Sequence, residues 1–504
     1  MLSKCFGGIL SFILFVVAVP QGRTASFFVD SSRVSNGDGS EGNPWKGLDN
    51  INWTTVGNAL SQAPTDIYLS SRDNFPNIGD IPIPISGTAS KRLRIIGDEK
   101  FNPVNSGTAS WQPETSRDNR ALTTSNGSGW VFPNNSAYVT LQGICITNSS
   151  YGGINLGVSN PTTGIHDIIV TNCNVISPLN NHGIWFGYAE AGCHSITISH
   201  CLVTNTSLEG IYIGHYSYFG TGKEITNVVV EFNTVVDTGL GGEGDIDIKP
   251  GVTGAIVRYN KHYRSAVLGG SNCGTVVAAN NCQIYGNEFF SARQRVSGDI
   301  DWGYGIYLNA EGDGVSIGQA ITSCRIYNNV IYSNDWSGIK ILATRAGISG
   351  VKLWNNTVWG NRVNGIFISG QSGQGVTIDD MKNNIVGANG SFDIELAGNV
   401  TLTSCDYNLY YRPSGNSWAI SGVGNSFVAW KSNGYDAHGI NEDPLLDSHL
   451  GLATDGPALL AGTDLSSNFT VDKNRQVRST WGMGAFRLAG GSPPAPPARL
   501  RVAP

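Results

Sequence analysis

The chain has 504 residues, 65 of them glycine; 14% of its residues are charged, and its formal net charge is −6. That balance gives no basic field for nucleic acid or an anionic membrane surface, so an acidic polymer would have to be held by local lysines and arginines or through a bound cation. Length alone allows two to four domains, but stacked repeats run long as single units.

Residues 1–25 read as a secretory signal: Lys4 supplies a short basic start, an apolar stretch runs from Ile9 to Val19, and small residues follow up to Ala25. That stretch is short for a membrane span and no later one is longer, so the expected product is soluble, secreted and extracellular. Residues 26–130 read as an N-terminal cap and first coils. Phe27-Phe28-Val29-Asp30 starts a strand. Leu48, Ile51, Val56 and Leu60 fall on one side of a short amphipathic helix between Trp45 and Leu60, placed to cover the open end of a solenoid. Short strands are expected at Ile67–Leu69, Ile83–Ile85 and Leu93–Ile96.

From about Val131 to residue 440 a repeat takes over. Cys145, Cys173, Cys201, Asn233, Asn260, Asn287, Asn329, Asn356 and Asn384 recur at steps of 27 or 28, stretched once to 32 and once to 42, and Asn408 follows 24 further on. Each follows a short alternating strand such as Ile168–Thr171 or Val228–Glu231. Most are followed about nine residues later by Gly-Ile-x-[Ile/Leu/Phe], as at Gly183, Gly210, Gly338 and Gly365, and the same pattern recurs at Gly305 within the longest step. Strands this short and regular, with no helical pattern between them, mean stacked coils. The expected fold is all-β: a single right-handed parallel β-helix with an asparagine/cysteine ladder and a cap at each end. Asparagine suits such a column because its side chain can bond the backbone of its own and the next coil, and it tolerates the left-handed region. Cysteines in the same column read as small buried residues rather than metal ligands, since no Cys-x-x-Cys spacing appears. Residues 441–486 read as the exit cap and 487–504 as a Pro-rich tail. A solenoid capped at both ends is expected to be a monomer.

One coil departs from the pattern. Glu243-Gly-Asp-Ile-Asp-Ile-Lys249 puts Asp245 where the others have glycine. Strand alternation turns Ile246 and Ile248 inward and places Glu243, Asp245, Asp247 and Lys249 on the outer face, neighbours about 6.6 Å apart. Such a row can bind a cation, do acid/base chemistry, or simply be solvated. Stacking the equivalent slots aligns Asn155, Trp185, Tyr212, Asp247, Tyr307, Lys340 and Phe367 in an outward column. Aromatic faces suit the C–H faces of sugar rings. His215, Glu311 and Arg345 fall just past the slot in their coils, and Glu209, Asp301 and Asp335 just before it. Trp185, Tyr212, His215, Tyr307, Lys340 and Arg345 are therefore candidates for gripping a polysaccharide. The lengthened steps carry insertions beside this slot, where solenoids place binding loops.

Three functions fit that wall. The first is β-elimination from a uronate polymer: Ca²⁺ on Glu243, Asp245 and Asp247 neutralises the substrate carboxylate, Lys249 as a neutral amine takes the α-proton, and Arg264, one coil on, holds the carboxylate. The second is glycoside hydrolysis by a carboxylate pair, Asp245 with Asp247 or Asp247 with Asp301. The third is a non-catalytic glycan-binding or adhesin-like solenoid.

The ladder and the Gly-Ile strands resemble the right-handed parallel β-helix superfamily over roughly residues 60–440. Asp245, Asp247 and Lys249, at alternate spacing on one strand, look like the calcium-and-lysine sites of pectate-lyase-like polysaccharide lyases. Family 9 pectate lyases are nearest in style, and the chondroitinase B/alginate lyase group is a looser match. The resemblance implies a Ca²⁺-dependent lyase acting on a uronate-containing polysaccharide. A C5-epimerase would share the proton abstraction.

Overall fold

The computed structural model describes residues 24–487 except 71–72, 77–78, 98–120, 125–126, 151, 158–160, 177–181, 190–191, 216–223, 239–243, 265–272, 294–302, 311–319, 413–417 and 421–425, and the side chains of 121, 124, 273, 276 and 418–420. The signal reading therefore lies almost wholly outside the described residues, as do the tail beyond 487, the insertions at 294–302 and 311–319, and Glu243, Asp301 and Glu311.

Alternating β-branched residues give each coil three short strands, one in each of three parallel sheets, with one face turned to a common interior. His166–Thr171, Asn174–Ile176 and Ile184–Gly187 make one coil. His194–Ser199, Leu202–Thr204 and Ile211–Gly214 make the next, and they pair in parallel with their counterparts in the coil before. The sheets containing these strands are called here the first, second and third walls. Inward positions stack in register: Ile168, Ile196 and Val228 in the first wall, Val203 and Val235 in the second, Ile184, Ile211 and Ile246 in the third. All are fully buried in one continuous core. The expected all-β parallel solenoid is what the chain forms. No helix among the described residues is long and apolar enough to cross a membrane.

The asparagine ladder is continuous. The side-chain amide of Asn233 donates to Asn260 Oδ1, Asn260 to Asn287, Asn287 to Asn329, Asn329 to Asn356, Asn356 to Asn384 and Asn384 to Asn408, each at 2.9–3.0 Å. Each amide also donates to a carbonyl of the preceding coil, as Asn233 does to Ile198 O at 2.9 Å. Cys201 does the same work weakly, its thiol 3.9 Å from Val170 O while its N–H donates to Asn233 Oδ1. Cys145 is out of step: it pairs with Asn174, so Ile144 rather than Cys145 lines up with Cys173. The left-handed residue is not the ladder asparagine but the one before it, with φ 55° at Phe232, 56° at Tyr259 and 48° at Asn355.

The strand expected from Phe27 is Ala25–Val29, and it pairs in parallel with Thr65–Leu69, which is also the place of an expected first-coil strand. Three further features were not read from the sequence. The expected helix is split into a 3₁₀ turn at Leu48–Asn50 and a helix at Trp53–Leu60, started by Asn52 accepting from Thr55 N–H; Val56 and Leu60 are buried. The far end of the ladder is closed by a short helix, Phe427–Ser432, and by Asp436. One oxygen of Asp436 accepts from Asn408 N–H and Nδ2 (both 2.9 Å), the other from Tyr410 Oη and Trp430 Nε1 (both 2.8 Å). The segment expected as exit cap instead turns back along the outside. Thr463 reaches Asn383, Gly482 and Gly484 reach Asn355, Val471 reaches Asn328, and Arg475 lies over the Phe232 and Tyr259 rings.

Candidate active site

The outward column lines up as expected. In the third wall Asn155 pairs with Trp185, Trp185 with Tyr212, Tyr212 with Asp247, Tyr307 with Lys340 and Lys340 with Phe367. Val276 fills the coil between Asp247 and Tyr307. These positions are not a bare groove, for Asn155, Tyr212, Asp247, Tyr307 and Lys340 are all buried.

The acidic row is split. Asp247 and Lys249 stay together, Oδ2 to Nζ 2.9 Å, and the ammonium lies 5.4 Å from the centre of the Tyr212 ring. Gly214 makes room for this lysine: with φ +115°, a Cβ there would meet Lys249 Cβ at 3.0 Å. Asp245 points elsewhere. Its slot is a corner: a Cβ at the equivalent Gly210 would lie 2.4 Å from the core residue Val235 and 3.3 Å from Thr238. The Asp245 carboxylate accordingly accepts from Thr238 Oγ1 and lies 3.7 Å from Nδ1 of His262, which occupies a core position stacked on Phe289. Alternation holds along a straight strand and fails where the chain rounds a corner.

The expected calcium set therefore does not assemble among the described residues. Asp245 faces inward, one oxygen of Asp247 is taken by an ammonium, and Glu243 is not described. Ca²⁺ needs six to eight oxygens. The hydrolytic pair of Asp245 with Asp247 is lost for the same reason, since the two no longer share a face.

Arg264 is also placed elsewhere. It follows the second-wall strand Lys261–Tyr263 and forms a bidentate pair with Asp237 (2.9 and 2.7 Å). That bond holds its guanidinium above the usual range. Arg345 is exposed. His215 is buried with its ring edge-on to Tyr188, centroids 5.3 Å apart. Trp185 is half-buried, 5.5 Å from Tyr188. It lies over Gly187, where any Cβ would strike the indole. Lys340 sits 4.5 Å from the ring centres of both Tyr304 and Tyr307.

One participant escaped the sequence reading. His182 Nε2 lies 2.8 Å from Glu209 Oε2, and its ring lies 4.9 Å from Tyr212 and 6.2 Å from Trp185. Each residue directly precedes its coil's glycine, so the two stack one coil apart. Burial pushes the Glu209 carboxyl up, but the hydrogen bond and charge of His182 and the charge of Lys249 outweigh it and hold the group below its ordinary value. A carboxylate at Nε2 favours the imidazole tautomer that carries its lone pair on Nδ1. Two polar pairs, His182–Glu209 and Asp247–Lys249, thus flank the Tyr212 ring.

No family model matches the sequence, and no curated protein matches it. Three-dimensional comparison finds likeness to pectate lyase Pel9A (13% identity, 92% of this chain and 96% of that one, TM-score 0.42). The A-module of the Azotobacter vinelandii mannuronan C-5 epimerase AlgE6 is similar over 78% of this chain and 95% of its own (11% identity, TM-score 0.44). A mannuronic-acid-specific family 6 polysaccharide lyase from human gut microbiota covers 84% and 92% (12% identity, TM-score 0.46).

Proposed function

We propose that the third wall acts on a uronate-containing polysaccharide by removing the proton α to a sugar carboxylate, the step shared by β-elimination and C5 epimerisation. The observation that carries this reading is the hydrogen-bonded His182–Glu209 pair beside the Lys249 ammonium, both against the Tyr212 ring. An α-proton is lost only if a base takes it and a positive charge steadies the carboxylate. His182, oriented by ionised Glu209, is the base. Lys249 is the cation rather than the neutral base, because an ammonium engaged with Asp247 has no lone pair to offer. Trp185, half-buried one coil from Tyr212, lies along the same wall, where a sugar chain running from coil to coil would meet it. In elimination the C5–H electrons form the C4–C5 double bond as the C4–O bond breaks, and the leaving oxygen takes up a proton. In epimerisation a proton returns to C5 from the other face. No step uses Ca²⁺.

The test is a panel of pectate, alginate, glycosaminoglycan and neutral glucan substrates, followed by ultraviolet absorbance for unsaturated ends and by NMR for epimerised residues. His182→Ala should lower turnover by about 10²–10⁴, and a chelator should change nothing. Full activity in His182→Ala, or activity only on neutral glucans, would falsify the reading.

A further inference from the structure

Around the corner from that wall, the first wall carries a second cluster of chemistry-bearing side chains. His166 and His194 face each other across adjacent coils in direct register, their rings stacked at 4.8 Å and 15°. Asp167 follows His166 with φ +53°, a left-handed residue that swings its carboxylate back to His166 Nδ1 at 2.9 Å. One donor atom from each of the three lies within 4.8 Å of the other two, and all three side chains are partly exposed.

We propose that His166, Asp167 and His194 bind one divalent first-row transition-metal ion of the Zn²⁺ type, with water completing the shell. Two imidazole nitrogens and one carboxylate are the donor set of many three-ligand zinc sites, and they are a poor set for Ca²⁺, which wants oxygens only. Tetrahedral zinc with bonds of about 2.0–2.1 Å places its ligands about 3.4 Å apart, so the donors must close by little more than an ångström. Side-chain rotation of half-exposed groups supplies that. Two stacked imidazoles gain little from each other in water but gain a common partner when a cation sits between their nitrogens. The flanking coils put the uncharged Ala137 and Thr226 in the same column. Among the described residues an opposing charge comes from Arg92, which donates to the Asp167 carbonyl at 2.8 Å and packs over Tyr138; the carboxylate of Asp167 offsets it. Bound there, the ion would pin two consecutive coils together. The proposal does not depend on the function assigned to the third wall.

Calorimetric titration of Zn²⁺ into chelator-stripped full-length protein tests it, with Co²⁺ as a visible-absorption probe of four-coordinate geometry. The expected result is one equivalent bound, a higher unfolding temperature with Zn²⁺, and at least a tenfold loss of affinity in both His194→Ala and Asp167→Asn. Asparagine keeps the left-handed backbone of residue 167 at ease, and position 194 lies on the outer face, so neither variant should fail to fold. A hundredfold excess of Ca²⁺ should not compete. No binding, a smaller loss in either variant, or displacement by Ca²⁺ overturns the proposal.

Discussion

Asp245 and Asp393 occupy the same corner slot in different coils, where most coils have glycine, and both are fully buried. The replacement at Asp245 was visible in the sequence, but its meaning was not. Strand alternation makes it outward, whereas the corner geometry sends it into the core, toward Thr238 in one coil and Asn389 in the other. His182 was equally hard to see, because a lone histidine before a glycine carries no spacing signal until the coils are stacked. Burial pushes Asp393 up to about 7, against hydrogen bonding from Asn389. The unfolded carboxyl titrates near 3.9, so between about pH 4 and 7 the native state holds the extra proton. Its stabilising effect is fully present at the acid end and is lost as pH rises through 7. Urea unfolding at pH 5 and pH 8 should show the wild type losing on the order of 2–3 kcal/mol relative to Asp393→Asn across that window; parallel curves would refute it. In the outward cluster, Glu209→Gln should cost about tenfold or more in turnover by freeing the His182 ring to reorient. An unchanged rate in steady-state assays would remove Glu209 from the site.

The ladder is the element whose logic was most legible. Its spacing gave the coil length, and the spacing survives because each asparagine must satisfy two coils at once. Asn329 accepts from the backbone and side chain of Asn287 and donates to Ile284 O and Asn356 Oδ1. Asn329→Ala strips all four bonds in a dry interior, and we expect a loss of about 3 kcal/mol or more in chemical denaturation. Asp436→Asn tests the terminus. It keeps the shape but turns one acceptor into a donor, facing either the Asn408 amide or the Trp430 and Tyr410 donors. A loss of about 2–4 kcal/mol is expected, and a variant as stable as the parent would show that the ladder needs no acceptor at its end. Cysteine alone could not reveal the slip at Cys145, because Cys fits an inward and an outward small site equally well.

On the scale of the whole molecule, a solenoid is held coil to neighbouring coil, so local damage should stay local. The returning segment is the exception. Arg478 joins Asn328 Oδ1 (2.8 Å) to the carbonyls of Gly484 and Ala485 (3.0 Å each), and Phe469 packs on Tyr327 at 4.8 Å. Nothing in local patterning announces contacts across 150 residues, which is why the segment read as a simple end cap. Arg478→Ala should loosen residues 464–487 while leaving the coils folded, visible as early proteolytic nicking there with an unchanged far-ultraviolet spectrum. Loss of the spectrum as well would mean that the segment and coils form one cooperative unit.

That backward path sets an order of events during biosynthesis. Coils can be laid down one upon another as the chain leaves the ribosome, yet Phe232, Tyr259 and Tyr327 gain their outer covering only after residues 469–475 have been made. Until then every nascent chain carries a bare aromatic flank, so a chain stalled before residue 464 should be well coiled and prone to stick to its neighbours.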